Sequence, residues 1–177
     1  GFFGNEMKNA GYDMIIFEGA SKSPVYLMIE NDSAQLLDAS EYWGQTVWDT
    51  EEGIKDKHGD AQIRVASIGV AGEQGVKFAC IVNDMDRAAG RSGVGTVMGS
   101  KNLKAIVVAG TGRPAIADQE NFRKLTRRVI EITKRPGNFN PFPEDQVKLV
   151  GKASCYQCGL DCNFRNTFEK ASGGKAI

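Results

Sequence analysis

Cys155, Cys158 and Cys162 fall within eight residues of one another, as Cys-Tyr-Gln-Cys-Gly-Leu-Asp-Cys, and account for three of the chain's four cysteines. Thiolates at this spacing wrap around a metal centre, either an iron–sulfur cluster or a structural zinc. Both normally take four ligands. The other candidates, Cys80 and His58, lie far upstream, so the motif predicts metal or redox chemistry at a site completed from outside this chain. On spacing alone, zinc or simply buried thiols stay open. Cys80 sits in the strand-like run Phe78–Val82 and reads as a packed core thiol. His58, just before Gly59, reads as a solvated histidine stabilised by a helix C-terminus.

The second stretch with chemical content is Arg87–Lys104, which packs four glycines and four cations into eighteen residues. Glycines let backbone N–H groups approach phosphate oxygens, and arginine adds a planar, permanently charged fork. The order Gly90-Arg-Ser-Gly93-Val-Gly95 is not the dinucleotide fingerprint, because the glycine spacing differs and no acidic ribose partner follows. Nor is it a Walker loop, since Gly-Lys-Ser/Thr is missing. A phosphate site and a tight structural turn both remain open for it, and Lys101 and Lys104 read as residues flanking a strand.

These groups need a scaffold, and the sequence predicts an α+β one: a mixed β-sheet domain followed by the beginning of an α-helical domain. Apolar, β-branched runs mark strands at Met14–Phe17, Val25–Ile29, Ala34–Leu37, Ile63–Ile68, Phe78–Val82 and Ala105–Ala109. Asn31-Asp32-Ser33 is turn chemistry that makes a hairpin of the second and third. Thr46–Lys57 carries acids early, lysines late and Gly59 beyond its end, as a helix macrodipole favours. After Pro114, Asp118 can cap a helix with Phe122, Leu125, Val129 and Ile132 on one stripe, closed by Arg135-Pro136-Gly137. The boundary near Pro114 divides the chain into 1–113 and 114–177.

With 177 residues, 22 basic and 22 acidic, the chain has the bulk of one domain plus part of another and no charge argument for nucleic acid or an anionic membrane. No apolar run approaches the roughly 20 residues of a membrane span. Gly1 at one end and Gly173-Gly174-Lys175-Ala176-Ile177 at the other read as cuts in a longer polypeptide. Clustered thiols in a cysteine-poor chain fit a reducing compartment, so the expected location is the cytoplasm.

Gly1-Phe-Phe-Gly4, Ala10-Gly-Tyr-Asp13, Asp38-Ala-Ser40, Trp43-Gly44, Ile68-Gly-Val-Ala-Gly72-Glu73, Arg87–Lys104 and the cysteine triplet follow one another in an order that resembles the tungsten-containing aldehyde:ferredoxin oxidoreductases. The resemblance covers nearly everything up to Val108 and resumes at the cysteines. It implies that residues 1–113 form the base under a tungstopterin, a tungsten or molybdenum ion held by two pterins whose phosphates are bridged by Mg2+. Arg87 would pair with a pterin phosphate, the Ala88 carbonyl would face the magnesium, and Gly90 and Arg91 would complete the cradle. Cys155, Cys158 and Cys162 would be three of the four ligands of a 4Fe–4S cluster passing electrons to ferredoxin, while the fourth cysteine and the acid–base residues lie downstream in the family. No catalytic residue is assigned within the chain.

The implied enzyme oxidises small aldehydes to carboxylic acids, with ferredoxin as partner and the oligomeric state open, a homo-oligomer included. Two rivals stand beside it: a non-catalytic iron–sulfur or zinc module for electron transfer or interaction, and the tungsten subunit of an aromatic acyl-CoA reductase. Ser92 stands where the family usually has glycine, which a negative φ would tolerate and a positive one would strain. The stretch from Pro114 to Cys155 is shorter than the family's. The basic residues Arg123, Lys124, Arg127, Arg128, Lys134 and Arg135 read first as a solvated helix face, and second as a surface steering an acidic ferredoxin.

Overall fold

The computed structural model describes residues 1–133 together with segments 148–153, 163–169 and 175–176. Two compact units divide it, Gly1–Pro114 and Ala115–Ile177.

The first unit is built on a six-stranded mixed sheet. Strands β1 (Val25–Glu30) and β2 (Ser33–Asp38) form the expected hairpin, paired from Val25↔Asp38 to Glu30↔Ser33 across a tight turn in which Asn31 has φ 51°. Then come β3 (Arg64–Ser67), β4 (Ile81–Asn83), β5 (Arg87–Ala89) and β6 (Leu103–Ala109), and the spatial order is β2-β1-β6-β3-β4-β5. Only β1 and β6 run parallel. Apart from Glu30 at the end of β1 and Lys104 in β6, both are apolar on each face, as strands covered on both sides tend to be.

Four helices cover this sheet or its ends: α1 (Phe3–Asn9), α2 (Val47–His58), α3 (Val70–Glu73) and α4 (Val94–Ser100). Thr46 caps α2 by accepting the Asp49 N–H at 3.2 Å, and Gly59 closes it at φ 63°, a left-handed position that glycine fills without a Cβ clash. Strand alternation sorts the core into two faces. Tyr26, Val65, Ala105 and Val107 pack with Ile54 of α2 and with Tyr42 on one face. Leu27, Ile29 and Val108 pack with Ala10 and with Phe3 and Met7 of α1 on the other. Ile68, Met98 and Leu103 form a third cluster beneath α4.

Several expectations need correction. Met14–Phe17 is not a strand: Ile15 and Phe17 pack over the sheet face while Met14 and Ile16 point outward, so the alternation is there without a strand to pair with. The run at Phe78–Val82 becomes a strand only from Ile81, and Phe78 is exposed. In the second unit, α5 (Gln119–Thr133) starts as predicted, with Asp118 Oδ1 accepting the Asn121 N–H at 2.9 Å. Its predicted stop at Arg135-Pro136-Gly137 lies outside the described residues. The remaining described elements of this unit are the strands β7 (Lys148–Ala153), β8 (Asn163–Glu169) and β9 (Lys175–Ala176), ordered β7-β8-β9, so among the described residues α5 is its only helix.

Candidate functional site

Arg87 opens β5, which pairs with β4 alone and so forms an edge of the sheet. The register Asn83↔Arg87 and Ala66↔Asn83 puts Arg87, Asn83, Ala66 and, two residues along β3, Arg64 on one sheet face. That is the α1 face, since Arg64 lies opposite Val108. The chain enters α1 directly over this group. Gly1 has its backbone so close that a Cβ there would stand 2.5 Å from Asp84 Oδ2 and 3.3 Å from Arg87 Cγ. The Phe2 N–H donates to Asp84 Oδ2, and the Arg64 guanidinium lies 4.9 Å from the centre of the Phe2 ring, in cation–π range.

The electrostatics of this corner are unbalanced in a particular way. Arg87 Nε is 3.5 Å from Asp86 Oδ1, and Arg64 Nη1 is 3.8 Å from Asp84 Oδ1, both longer than charge-assisted hydrogen bonds normally run. Arg64 Nε and Asp84 Oδ1 are buried without a hydrogen-bond partner among the described residues. Ala88, Ala89, Gly90 and Arg91 continue the edge into solvent. Two arginines on one face, a third on the adjoining loop and an open edge backbone make a donor set suited to a multiply charged oxyanion. Backbone carbonyls on such an exposed edge would suit a hard cation. Gly90 has nothing within 4 Å of a built Cβ, so a large group has room beside the loop. A phosphate-bearing cofactor fits these residues.

The glycine-rich stretch after the edge has a different task. Ser92 (φ 69°) and Gly93 (φ 65°) turn the chain into α4 through two successive left-handed residues, so the strained alternative holds at Ser92. A Cβ on Gly93 would collide with the Lys77 carbonyl, on Gly95 with that of Cys80, and on Gly99 with that of Gly72. These three glycines serve backbone-to-backbone packing, and Gly90 alone of the four has the open surroundings of an approach site.

Lys104 does not flank a strand. It sits inside β6, fully buried, with Nζ 2.5 Å from Glu73 Oε1 and 2.9 Å from the Gln45 carbonyl, while Glu73 Oε2 accepts the Gly44 N–H at 2.9 Å. Burial holds the Lys104 ammonium below the usual lysine range, opposed by its hydrogen bond and attraction to Glu73. The pair ties α3 and the Gly44–Gln45 loop to the sheet. His58, expected to be solvated, is half-buried with Nε2 3.0 Å from the Tyr26 hydroxyl, whose own ionisation burial pushes up. Burial likewise pushes Tyr42 up to about 12.

Cys155, Cys158 and Cys162 lie outside the described residues. Cys80 is a half-buried free thiol. Among the described residues no group of three or more His, Cys, Asp or Glu is placed to hold a metal ion, and no helix among them is long and apolar enough to cross a membrane. Sequence reasoning overlooked Arg64, Glu73 and the docking of Gly1-Phe2 against the β4–β5 turn. The available signal was a lone charge within an otherwise apolar strand, which both Arg64 and Lys104 display.

Comparison with known proteins bears on the same region. The family pattern described as "Aldehyde ferredoxin oxidoreductase, N-terminal domain" matches residues 1–110. The tungsten-containing aldehyde ferredoxin oxidoreductase of Pyrococcus abyssi is 50% identical over 135 residues, 76% of this chain and 22% of that protein. That of Thermococcus kodakarensis is 52% identical over 130 residues, 73% of this chain and 22% of that protein. Among solved structures, the active-site complex BamBC of benzoyl coenzyme A reductase with 1,5-dienoyl-CoA superposes with a TM-score of 0.73 at 42% identity, over 75% of this chain and 20% of that one. The chain thus spans about a fifth of the length of the curated relatives it matches.

Proposed function

The chain belongs to the aldehyde ferredoxin oxidoreductase family, carrying that family's N-terminal domain over residues 1–110, and we propose that this domain is the seat of a tungstopterin in an enzyme that oxidises aldehydes to carboxylic acids. The supporting observation is the edge strand β5: Arg87 on the α1 face beside Arg64, followed by the exposed Ala88, Gly90 and Arg91. Arg87 and Arg91 would hold pterin phosphates, the Ala88 carbonyl would face a magnesium ion accompanying those phosphates, and Gly90 would allow close approach. When bound, the metal–pterin centre supplies the two-electron chemistry, with tungsten or molybdenum in the same seat. The chain's own work is binding and orientation. Arg87 is partly withdrawn from water, which strengthens its pull on a phosphate relative to a fully solvated arginine.

In the same reading Cys155, Cys158 and Cys162 would be three of the four ligands of a 4Fe–4S cluster, which would supply electron transfer toward ferredoxin in the cytoplasm, and no residue of this chain is assigned acid–base catalysis. A second reading, the tungsten subunit of an aromatic acyl-CoA reductase, draws on the likeness to the BamBC complex at 42% identity. The 50–52% identity to aldehyde-oxidising relatives favours the first.

The test is Arg87→Ala in the full-length enzyme, purified without oxygen, with tungsten and pterin counted per chain. Both should fall. Unchanged occupancy would remove Arg87 from the cofactor seat.

A further inference from the structure

The turn that joins β4 to β5 takes two left-handed residues without using glycine, Asp84 at φ 49° and Met85 at φ 66°. Side chains there crowd the backbone, so surrounding contacts must enforce the conformation. Those contacts come from α2, on the sheet face opposite the arginines. The Trp48 indole N–H donates to the Met85 carbonyl at 3.0 Å, and the Met85 N–H donates to Glu51 Oε2 at 3.1 Å. Trp48 and Glu51 are three residues apart and project from one side of the helix. Glu51 is 3% exposed, and Lys55 Nζ occupies its second oxygen at 2.6 Å. Both backbone polar groups of Met85 are therefore gripped by α2.

Met85 stands between two acids that face the two arginines. Asp84 takes the Phe2 N–H and lies beside Arg64, and Asp86 lies beside Arg87. A change in the turn at Met85 would swing both carboxylates and move the start of β5. We propose that Glu51 and Trp48 are positioning residues for the Arg87 site, locking the Asp84–Asp86 turn so that Arg87 and the Ala88 carbonyl are set in place before an anionic cofactor arrives. This rests on the reading of Arg87 as a cofactor contact.

The experiment uses the full-length enzyme in five variants, Glu51→Ala, Glu51→Gln, Trp48→Phe, Lys55→Met and Arg87→Ala, with tungsten and pterin per chain, pterin retention on dialysis and the thermal midpoint measured for each. Trp48→Phe keeps an aromatic ring on an exposed surface and removes the indole N–H together with the five-membered ring, a surface change that leaves the fold intact. It and Glu51→Ala should retain pterin about tenfold less well, as loss of a supporting contact around a bound group usually does. Glu51→Gln keeps an acceptor for the Met85 N–H and should restore loading. Lys55→Met breaks the buried ion pair without touching Met85, so it should lower the thermal midpoint and leave loading intact. If Lys55→Met loses as much cofactor as Glu51→Ala, α2 acts only through stability and the proposal is wrong. If Arg87→Ala loses cofactor but Trp48→Phe and Glu51→Ala load fully, the clamp fails while the cofactor seat stands. Full loading of Arg87→Ala overturns both.

Discussion

Glu73 divides its two carboxylate oxygens between Lys104, at 2.5 Å, and the Gly44 backbone N–H, at 2.9 Å, and both members of the ion pair are sealed from solvent. Such a pair is costly to desolvate, and removing one partner is worse than replacing both. Glu73→Gln should destabilise the first unit by about 3–5 kcal/mol, the usual cost of stranding a buried charge. The double variant Glu73→Leu with Lys104→Met should recover most of that, though not all, because Gly44 N–H and the Gln45 carbonyl lose their partners. Urea unfolding of the full-length protein, followed by tryptophan fluorescence, measures both. Equal losses in single and double variants would contradict it.

The same lysine sets a pH dependence. Its folded value is lowered by burial from the ordinary 10.5. Between the lowered value and 10.5 the unfolded chain keeps the proton that the folded chain has lost, so the unfolded state binds more protons and this residue's contribution to stability rises with pH. The stability difference between wild type and Lys104→Met should shift in favour of wild type as pH climbs through that window, and stay flat below it. A difference that moves the other way would mean Glu73 outweighs burial.

Ser92 occupies a left-handed position, φ 69°, next to Gly93 at φ 65°. Ser92→Gly should therefore stabilise the protein by about 1 kcal/mol, the relief of one Cβ–carbonyl contact, whereas Ser92→Ala should give no gain. Thermal melts of the two variants decide, and equal behaviour of Gly and Ala would show that backbone strain is not the issue.

At the α3–α4 contact, Gly99 stacks directly on the Gly72 carbonyl. Gly99→Ala should force the helices apart at a cost of about 1–3 kcal/mol, the range for overpacking. Since α4 follows directly from the Arg87–Arg91 edge, loss of cofactor should accompany the loss of stability. A neutral outcome in a melt would mean that the two helices can slide.

What could be read from the sequence was whatever rests on local chemistry. The Asn31-Asp32-Ser33 hairpin, the Gly59 stop of α2 and the Asp118 start of α5 are short-range devices, and each stands where its residues put it, while Thr46, read as the first residue of α2, is its N-cap. The stretch Arg87–Lys104 stands out by its glycines and cations, but only the family resemblance picks Arg87, Ala88, Gly90 and Arg91 from it; they lie along the edge strand β5 and the loop that follows. Three things were hidden because they depend on long-range pairing. Gly93, Gly95 and Gly99 look alike in sequence but are small for the sake of distant carbonyls, not a ligand. Arg64 joins Arg87 only through the register of three strands. Lys104 meets Glu73 only once β6 is in place.

The placement of β6 between β1, to which it runs parallel, and β3, to which it runs antiparallel, has a kinetic corollary. The β1–β2 hairpin can close as soon as it is made, and β3, β4 and β5 can zip by antiparallel neighbours. The two halves share no pairing until Leu103–Ala109 inserts between them. During synthesis the nascent domain must wait, with two central edges bare, until its last sheet strand has left the ribosome. Non-local closure of this kind is slow and exposes pairing surfaces to other chains. A ribosome stalled before Leu103 would present two unsatisfied half-sheets, the species a chaperone would need to shield.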